Sequence, residues 1–265
     1  MNQIRRYVKL YGSFFKMDIK RIGLYRANLL TSSFGYLLDS LATFFSVWLI
    51  LNQVGSIYEW GMPEMFALFT YTLFLLSIWE FFFVNTLEIP FLIFDGELDI
   101  FLTRPVGDLF QFVIFELDEE SIFEIIVSFL MFIGALWSCH LTFDLIKIGI
   151  FLLCTISALM GLEAIYLAIS STAFWFTSTQ GLKSIVYQIL QLNRYPLEIY
   201  PNFVKIIMTV IPFGLYGYYP LSLLLFGQVS SWMTLYIIFS GPIFLLLAYF
   251  GVWKIGLKHY TSAAG

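Results

Sequence analysis

The chain has 265 residues, of which 60% are hydrophobic, 20% aromatic and 12% charged, with mean hydropathy +0.84 and a formal net charge of −4. Soluble domains carry roughly 25% charged residues, so this composition excludes a soluble globular protein; the basic residues flank apolar segments instead of forming an exposed stripe, which excludes nucleic-acid binding. At about 20 apolar residues per helical crossing, the length holds roughly six spans in an all-α polytopic membrane fold.

Residues 1–26 interleave basic and apolar residues, unlike a signal peptide with its basic start and apolar core. On a helical wheel Arg5, Lys9, Ser13, Lys16 and Lys20 fall on one side, with Ile4, Tyr7, Val8, Tyr11, Phe14, Phe15 and Ile22 opposite. This pattern predicts an uncleaved amphipathic helix lying in the headgroup plane of an anionic leaflet. Residues 27–265 read as a single six-span domain.

Apolar runs place the first span from about Ala27 to Leu51 and the second from Pro63 into Phe81-Phe82-Phe83. After it comes the compact charged stretch from Phe94 to Pro105, holding Asp95, Glu97, Asp99 and Arg104, with Asp108 just beyond. So many charges between two long apolar segments predict a loop that contacts a soluble partner. The third span is expected from about Ser121 to Trp137 and the fourth from Lys147 to about Phe174.

Between Thr177 and Gly227 the pattern has two readings, because Lys183, Arg194, Glu198 and Lys205 interrupt it and Pro196, Pro201, Pro212 and Pro220 break helices. One is a cytoplasmic segment followed by a span from about Asn202 to Leu225, which suits the charge rule better. The other is a fifth span from about Thr179 to Leu197, with the proline-punctuated remainder folding back as two short re-entrant helices. The last span runs from Trp232 to Trp253. Lysine and arginine cluster before the first span, at Arg104, and at Lys254 and Lys258, which puts both termini and the 94–120 loop in the cytoplasm. Trp48, Trp60, Trp137, Trp232 and Trp253 sit near span ends, as interfacial belts do.

Catalytic signatures are missing: no G-x-x-x-x-G-K-[ST], C-x-x-C, H-E-x-x-H or G-x-S-x-G occurs. His140 and His259 lie near segment ends, and Cys139 and Cys154 have no metal-ligand spacing and read as small hydrophobes. The chain is thus expected to be neither an enzyme nor a metal protein, so any nucleotide chemistry belongs to another chain. Asp39, Glu80 and Glu163 fall mid-span without a basic partner in the same span. Such carboxyls are candidates for cation recognition or proton relay; interhelical hydrogen bonding is the structural alternative.

Gly96-Glu-Leu-Asp99 with Leu102 and Arg104-Pro105, then Tyr195-Pro196, Ile199-Tyr200-Pro201, Ile211-Pro212-Phe213, Pro220 and Leu225-Phe-Gly227, resemble the permease subunits of type 2 ABC exporters. The similarity covers essentially the whole chain and is narrowest to the bacterial branch long catalogued as a domain of unknown function. It implies an interfacial helix, six spans, a coupling helix between spans 2 and 3, and re-entrant helices before span 6. It also implies a second permease subunit, identical or different, and separate cytoplasmic ATPase subunits that bind ATP and Mg and drive outward transport across the bacterial inner membrane. This chain itself would bind no cofactor. On this comparison the coupling element runs from Gly96 to Thr103, with Asp95 as its N-cap and Leu98, Phe101 and Leu102 as an apolar stripe received by the ATPase. The acidic run Glu116-Leu-Asp-Glu-Glu120 departs from the family pattern. The alternative function is a proton- or cation-coupled secondary carrier using Asp39, Glu80 and Glu163; internal repeats, common in such carriers, are not visible.

Overall fold

The computed structural model describes residues 3–22, 35, 38, 41–46, 48, 49, 52, 53, 55–141, 144–176, 178–227 and 230–261. These are helical apart from turns and one isolated bridge between Ile57 and Trp60. Four helical stretches among them are long and apolar enough to cross a bilayer, namely Met62–Phe94, Glu120–Ser138, Leu145–Phe174 and Ser231–His259, which match the expected second, third, fourth and last spans. Of the first, the described helical residues 41–46, 48 and 49 flank the second span, and the Phe44 ring lies 4.2 Å from that of Phe66.

Helix α1 (Gln3–Ile22) is the expected amphipathic start. Tyr7, Tyr11 and Phe14 are half-buried against the body, but Val8 and Phe15 are exposed, so the apolar side divides between protein and surroundings. Helix α2 (Met62–Phe83) opens at Gly61, whose backbone N–H donates to Glu64 Oε2 at 3.0 Å, satisfying a donor that has no intrahelical acceptor. It is apolar all round, as a central helix must be. In its most apolar window 56% of residues are buried, against 17% in α6 (Glu120–Ser138), so α2 is enclosed by neighbours and α6 turns most of its surface outward.

The chain continues through a 3₁₀ turn at Val84–Glu88, then α3 (Ile89–Phe94), α4 (Leu98–Leu102) and α5 (Asp108–Phe115). Helix α6 returns antiparallel to α2, pairing Phe132 with Tyr71 and Phe129 with Phe74. Helix α7 (Leu145–Ser171) then runs parallel to α2, with the Tyr71 and Thr155 hydroxyls 3.0 Å apart and Trp79 bonded to Glu163.

Between helices in an apolar medium there is no hydrophobic driving force, so close packing and polar contacts must hold them. The seam of α7 with α11 (Ser231–Leu247) follows that rule. Ser157 Oγ donates to the Ile237 carbonyl at 2.6 Å and accepts from Gly241 N–H at 3.1 Å, inserting into the α11 ladder one residue before Pro242. A Cβ on Gly241 would overlap the Ser157 backbone, so only glycine allows the approach. Past Leu247 the helix widens into a π turn, Ala248–Trp253, and ends as α12 (Lys254–His259).

Contacts fix the path of the ambiguous stretch. Helix α8 (Gln180–Gln191), extended by a 3₁₀ turn to Arg194, starts beside Leu87, whose carbonyl accepts from Lys183 Nζ. It ends at the level of Thr72, against which Gly217 packs together with Asn193. Its length is roughly 24 Å at helical rises of about 1.5 and 2.0 Å per residue, short of a bilayer core of about 30 Å. No continuous helix covers 202–225, so the uninterrupted span of the first reading is not formed. The segment is α9 (Asn202–Val210), a 3₁₀ turn at Pro212–Tyr216 and α10 (Tyr218–Phe226). Proline explains the breaks: Pro201 precedes α9, Pro212 opens the 3₁₀ turn, and Pro220 sits in the first turn of α10, where no N–H is missed. Both short helices lie at the Trp60 end of the body, where the Trp60 ring meets Tyr218 and Phe226. Loop 94–119 and α1 lie at the other end.

Two of the five tryptophans near span ends have other positions. Trp60 and Trp253 are fully buried, whereas Trp48, Trp137 and Trp232 are exposed.

Candidate functional site

The charged loop is a folded platform. Pro90 starts α3, the Asp95 N–H closes it on the Phe91 carbonyl at 2.9 Å, and Gly96 then takes φ +74°, a left-handed turn that favours glycine. Asp95 is therefore the C-cap of α3, not the N-cap of α4. That position belongs to Glu97, which makes no side-chain cap bond. Because α4 has only five residues, it depends on its neighbours. Leu98 and Phe101 are buried among Ile89, Phe112, Leu167 and Trp253, with the Phe101 ring stacked on Phe112 at 5.0 Å. Gln111 Nε2 donates to the carbonyls of Phe101 (2.7 Å) and Val106 (3.1 Å), fixing the exit from α4. Asp99 faces Tyr260, and burial together with that carboxylate pushes the phenol above its usual range.

The expected stripe is thus split. Leu98 and Phe101 point into the protein, while Leu102 is exposed beside Asp95, Glu97, Ile100, Thr103 and Arg104, with Phe91 and Phe94 exposed on the preceding helix. The Arg104 guanidinium lies over the outer face of Phe101 at 5.4 Å. The physical reason is the short helix: its i and i+3 positions must bury against the body to hold it, which leaves the i+2 and i+4 side chains, Ile100 and Leu102, facing out.

Two contacts tie this platform to distant elements. Asp108, in the first turn of α5, accepts from Trp253 Nε1 (2.9 Å), Lys254 Nζ (2.8 Å) and its neighbour Leu109 N–H (3.1 Å). Burial raises its pKa, but the bonds from Lys254, Trp253 and Leu109 outweigh that and hold the carboxyl below the usual aspartate range. The π turn of the last span presents Trp253 and Lys254 together to one carboxylate, and π turns recur at functional sites. Along the other edge, Gly107 N–H donates to Tyr7 Oη (3.0 Å), Arg6 to the Pro105 carbonyl (3.3 Å), and Arg21 to Glu116 and to the Leu117 carbonyl (2.9 Å). The acidic run that departs from the family pattern therefore binds α1 to the body.

Of the mid-span acids, Asp39 lies outside the described residues. Glu80 interacts electrostatically with Glu124 of α6, a residue that sequence reasoning missed. Glu163 is 7% exposed and accepts from Trp79 Nε1 (3.0 Å) and Thr86 Oγ (2.8 Å), so neutral donors from α2 and the following turn meet both its oxygens. The structure does not bring Glu80 and Glu163 into one bonded cluster. Among the prolines, Pro196 and Pro220 are buried and Pro201 is exposed. Glu124 could have been noticed as a third-span acid, but nothing in a single sequence pairs Asp108 with Lys254.

The family model described as ABC-2 family transporter protein matches residues 37–264. The chain belongs to that family and is a multi-pass membrane permease of an ABC transporter. No curated protein matches it significantly.

Proposed function

We propose that this ABC-2 family permease moves substrate out of the bacterial cytoplasm with energy from ATP hydrolysed, with Mg, on separate ATPase subunits, and that it works beside a second permease subunit, identical or different. Loop 94–104 is the contact for the ATPase. The observation that carries this reading is the outward apolar and charged face of Phe94, Ile100, Leu102 and Arg104 on a platform bonded through Asp108 to the last span. A push on α4 is then passed through Phe101, Phe112 and Asp108 to the π turn of α11. The chain itself has no catalytic role and holds no cofactor. Basic residues at the α1, Arg104 and Lys254 end support an inner-membrane orientation with both termini cytoplasmic.

The test is a full-length Ile100→Ser/Leu102→Ser double mutant purified with its ATPase partner. Folding should be unchanged, because both side chains are exposed, while ATPase co-elution or ATP-dependent transport falls at least tenfold. Wild-type assembly together with wild-type transport would sink the loop assignment.

In the same orientation α8 is the fifth crossing, its helix of roughly 24 Å completed to the bilayer width by the flanking non-helical residues 178–179 and 195–196, and α9 and α10 dip into the outer leaflet as a re-entrant pair. Their placement beside Trp60 and Lys147 supports this. Cysteines introduced at Asn202 or Lys205, in a background lacking Cys139 and Cys154, should react with a membrane-impermeant thiol reagent in intact cells. Labelling only after permeabilisation would put this segment in the cytoplasm. The Glu80–Glu124 carboxyl pair is the one observation favouring the proton-coupled carrier, which would transport in proteoliposomes under a proton gradient without ATP.

A further inference from the structure

A cavity of about 460 Å³ lies beneath α1, at the end of the body that carries loop 94–119. Its walls come from five elements: Tyr7 of α1, Phe83 and Thr86 at the end of the second span, Phe110 and Val113 of α5, Glu163 of α7, and Leu246 and Tyr249 of the last span. The size is that of sites for drug-sized molecules, and the lining is mostly apolar and aromatic, as such sites are.

Two carboxyl groups face it, and they differ. Asp108 is matched by Lys254. Glu163 is more than nine-tenths buried and receives hydrogen bonds from Trp79 and Thr86, but no Lys, Arg or His among the described residues pairs with it. Of the two acidic groups on the wall, only Asp108 is therefore paired with a base. A carboxyl at this depth is costly unless something compensates it. Tyr7, Phe83, Phe110 and Tyr249 supply aromatic surface in the same wall, which attracts cations as well as apolar groups.

We propose that this cavity is a binding site for lipophilic cations: the apolar body fills the space between α1, α5 and the last span, and the positive centre approaches Glu163. That such a cation is cargo rests on the export reading above. That it binds here does not, so the two can fail separately.

The probe is tetraphenylphosphonium, with neutral triphenylphosphine oxide as the control for apolar binding. Binding is measured by equilibrium dialysis on the full-length permease in nanodiscs, without ATPase or ATP. The wild type should bind the cation at least tenfold more tightly than the neutral compound. Glu163→Gln should erase that preference, weakening the cation at least tenfold and the neutral compound less than twofold. Val113→Trp, which fills the cavity and leaves Glu163 in place, should abolish binding of both, and it decides the matter should Glu163→Gln not fold. Equal affinity of the wild type for the two compounds, or cation binding that survives Val113→Trp, would overturn the proposal. Binding as expected in a protein that never associates with an ATPase would leave the site standing and remove the export reading.

Discussion

At the α1 end of the body, the irregular segment 94–119 is tied to its neighbours by ion pairs as well as by packing: Arg21 of α1 with Glu116 and Glu119, and Lys254 with Asp108. At the opposite end the equally irregular segment 195–226 is held by tyrosines. Tyr200 donates to the Leu192 carbonyl at 3.0 Å, Tyr216 to the Thr72 carbonyl at 2.8 Å, Tyr218 to Glu198, and Tyr219 meets Thr209. Ion pairs suit a boundary where water offsets the cost of bringing charges together, while a segment sunk among apolar helices is better held by neutral hydroxyls, whose desolvation costs far less. The charged end can be loosened by changing protonation or one partner; at the tyrosine end only the Tyr218–Glu198 contact offers that control. On the proposed function, the part that responds to a soluble ATPase lies at the first end, and the part that keeps its shape while helices move lies at the second.

The comparison breaks most visibly if the buried face of α4 is removed. Leu98→Ser/Phe101→Ser takes two fully packed side chains out of the platform, and each large-to-small core change costs about 2–5 kcal/mol. This double mutant should lose assembly through unfolding of the loop, seen as protease cleavage between 94 and 107, whereas Ile100→Ser/Leu102→Ser should remain protease-resistant. Equal resistance in both would mean that charge alone holds this end.

Asp108→Ala comes next. It removes the acceptor for Trp253 and Lys254, and leaving a buried donor unsatisfied costs about 1–3 kcal/mol, the lower part of that range applying to Lys254 because its side chain is 40% exposed. Thermal unfolding should fall accordingly, and transport should fall more than ATPase binding. The pH dependence has a definite sign. The folded-state pKa of Asp108 is lowered, so its contribution is present above the ordinary aspartate value of about 3.9 and is lost as pH falls through the lower folded value. Pepsin should therefore cut 94–107 faster as pH drops from about 4 to about 2, with Asp108→Asn cut fast at both.

The legible part of this molecule was whatever depends on local pattern. Runs of apolar residues place four spans within a few residues, and Pro196, Pro201, Pro212 and Pro220 mark where 195–226 breaks. The gaps are tertiary. A five-residue helix shows two candidate apolar faces, and only the packing of Phe101 on Phe112 decides that Leu98 faces in and Ile100 out. The Asp95 position failed because Gly96 ends one helix before the next begins. Trp253 reads as an interfacial residue until the π turn rotates it onto Asp108. Glu163 reads as a carboxyl without a basic partner in its own span, which is correct, but its donors Trp79 and Thr86 belong to α2 and the turn after it, 84 and 77 residues away.

The smallest effect sharpens the other half of the comparison. Tyr216→Phe keeps the buried ring, and with it the packing of the 3₁₀ turn on α2, and removes only the hydroxyl that donates to Thr72. That carbonyl lies inside α2, where an amide one turn on also serves it, so no acceptor is orphaned and the loss is about 1 kcal/mol. Melting in detergent should drop slightly, with no dependence on pH between about 4 and 8, because the interaction holds no group that titrates there. Asp108→Asn, by contrast, changes a titrating contact. If Tyr216→Phe instead uncoupled transport while its melting stayed within the expected loss, the tyrosine end would be a moving part of the cycle, and the division between a responsive charged end and a rigid hydroxyl-bonded end would fall.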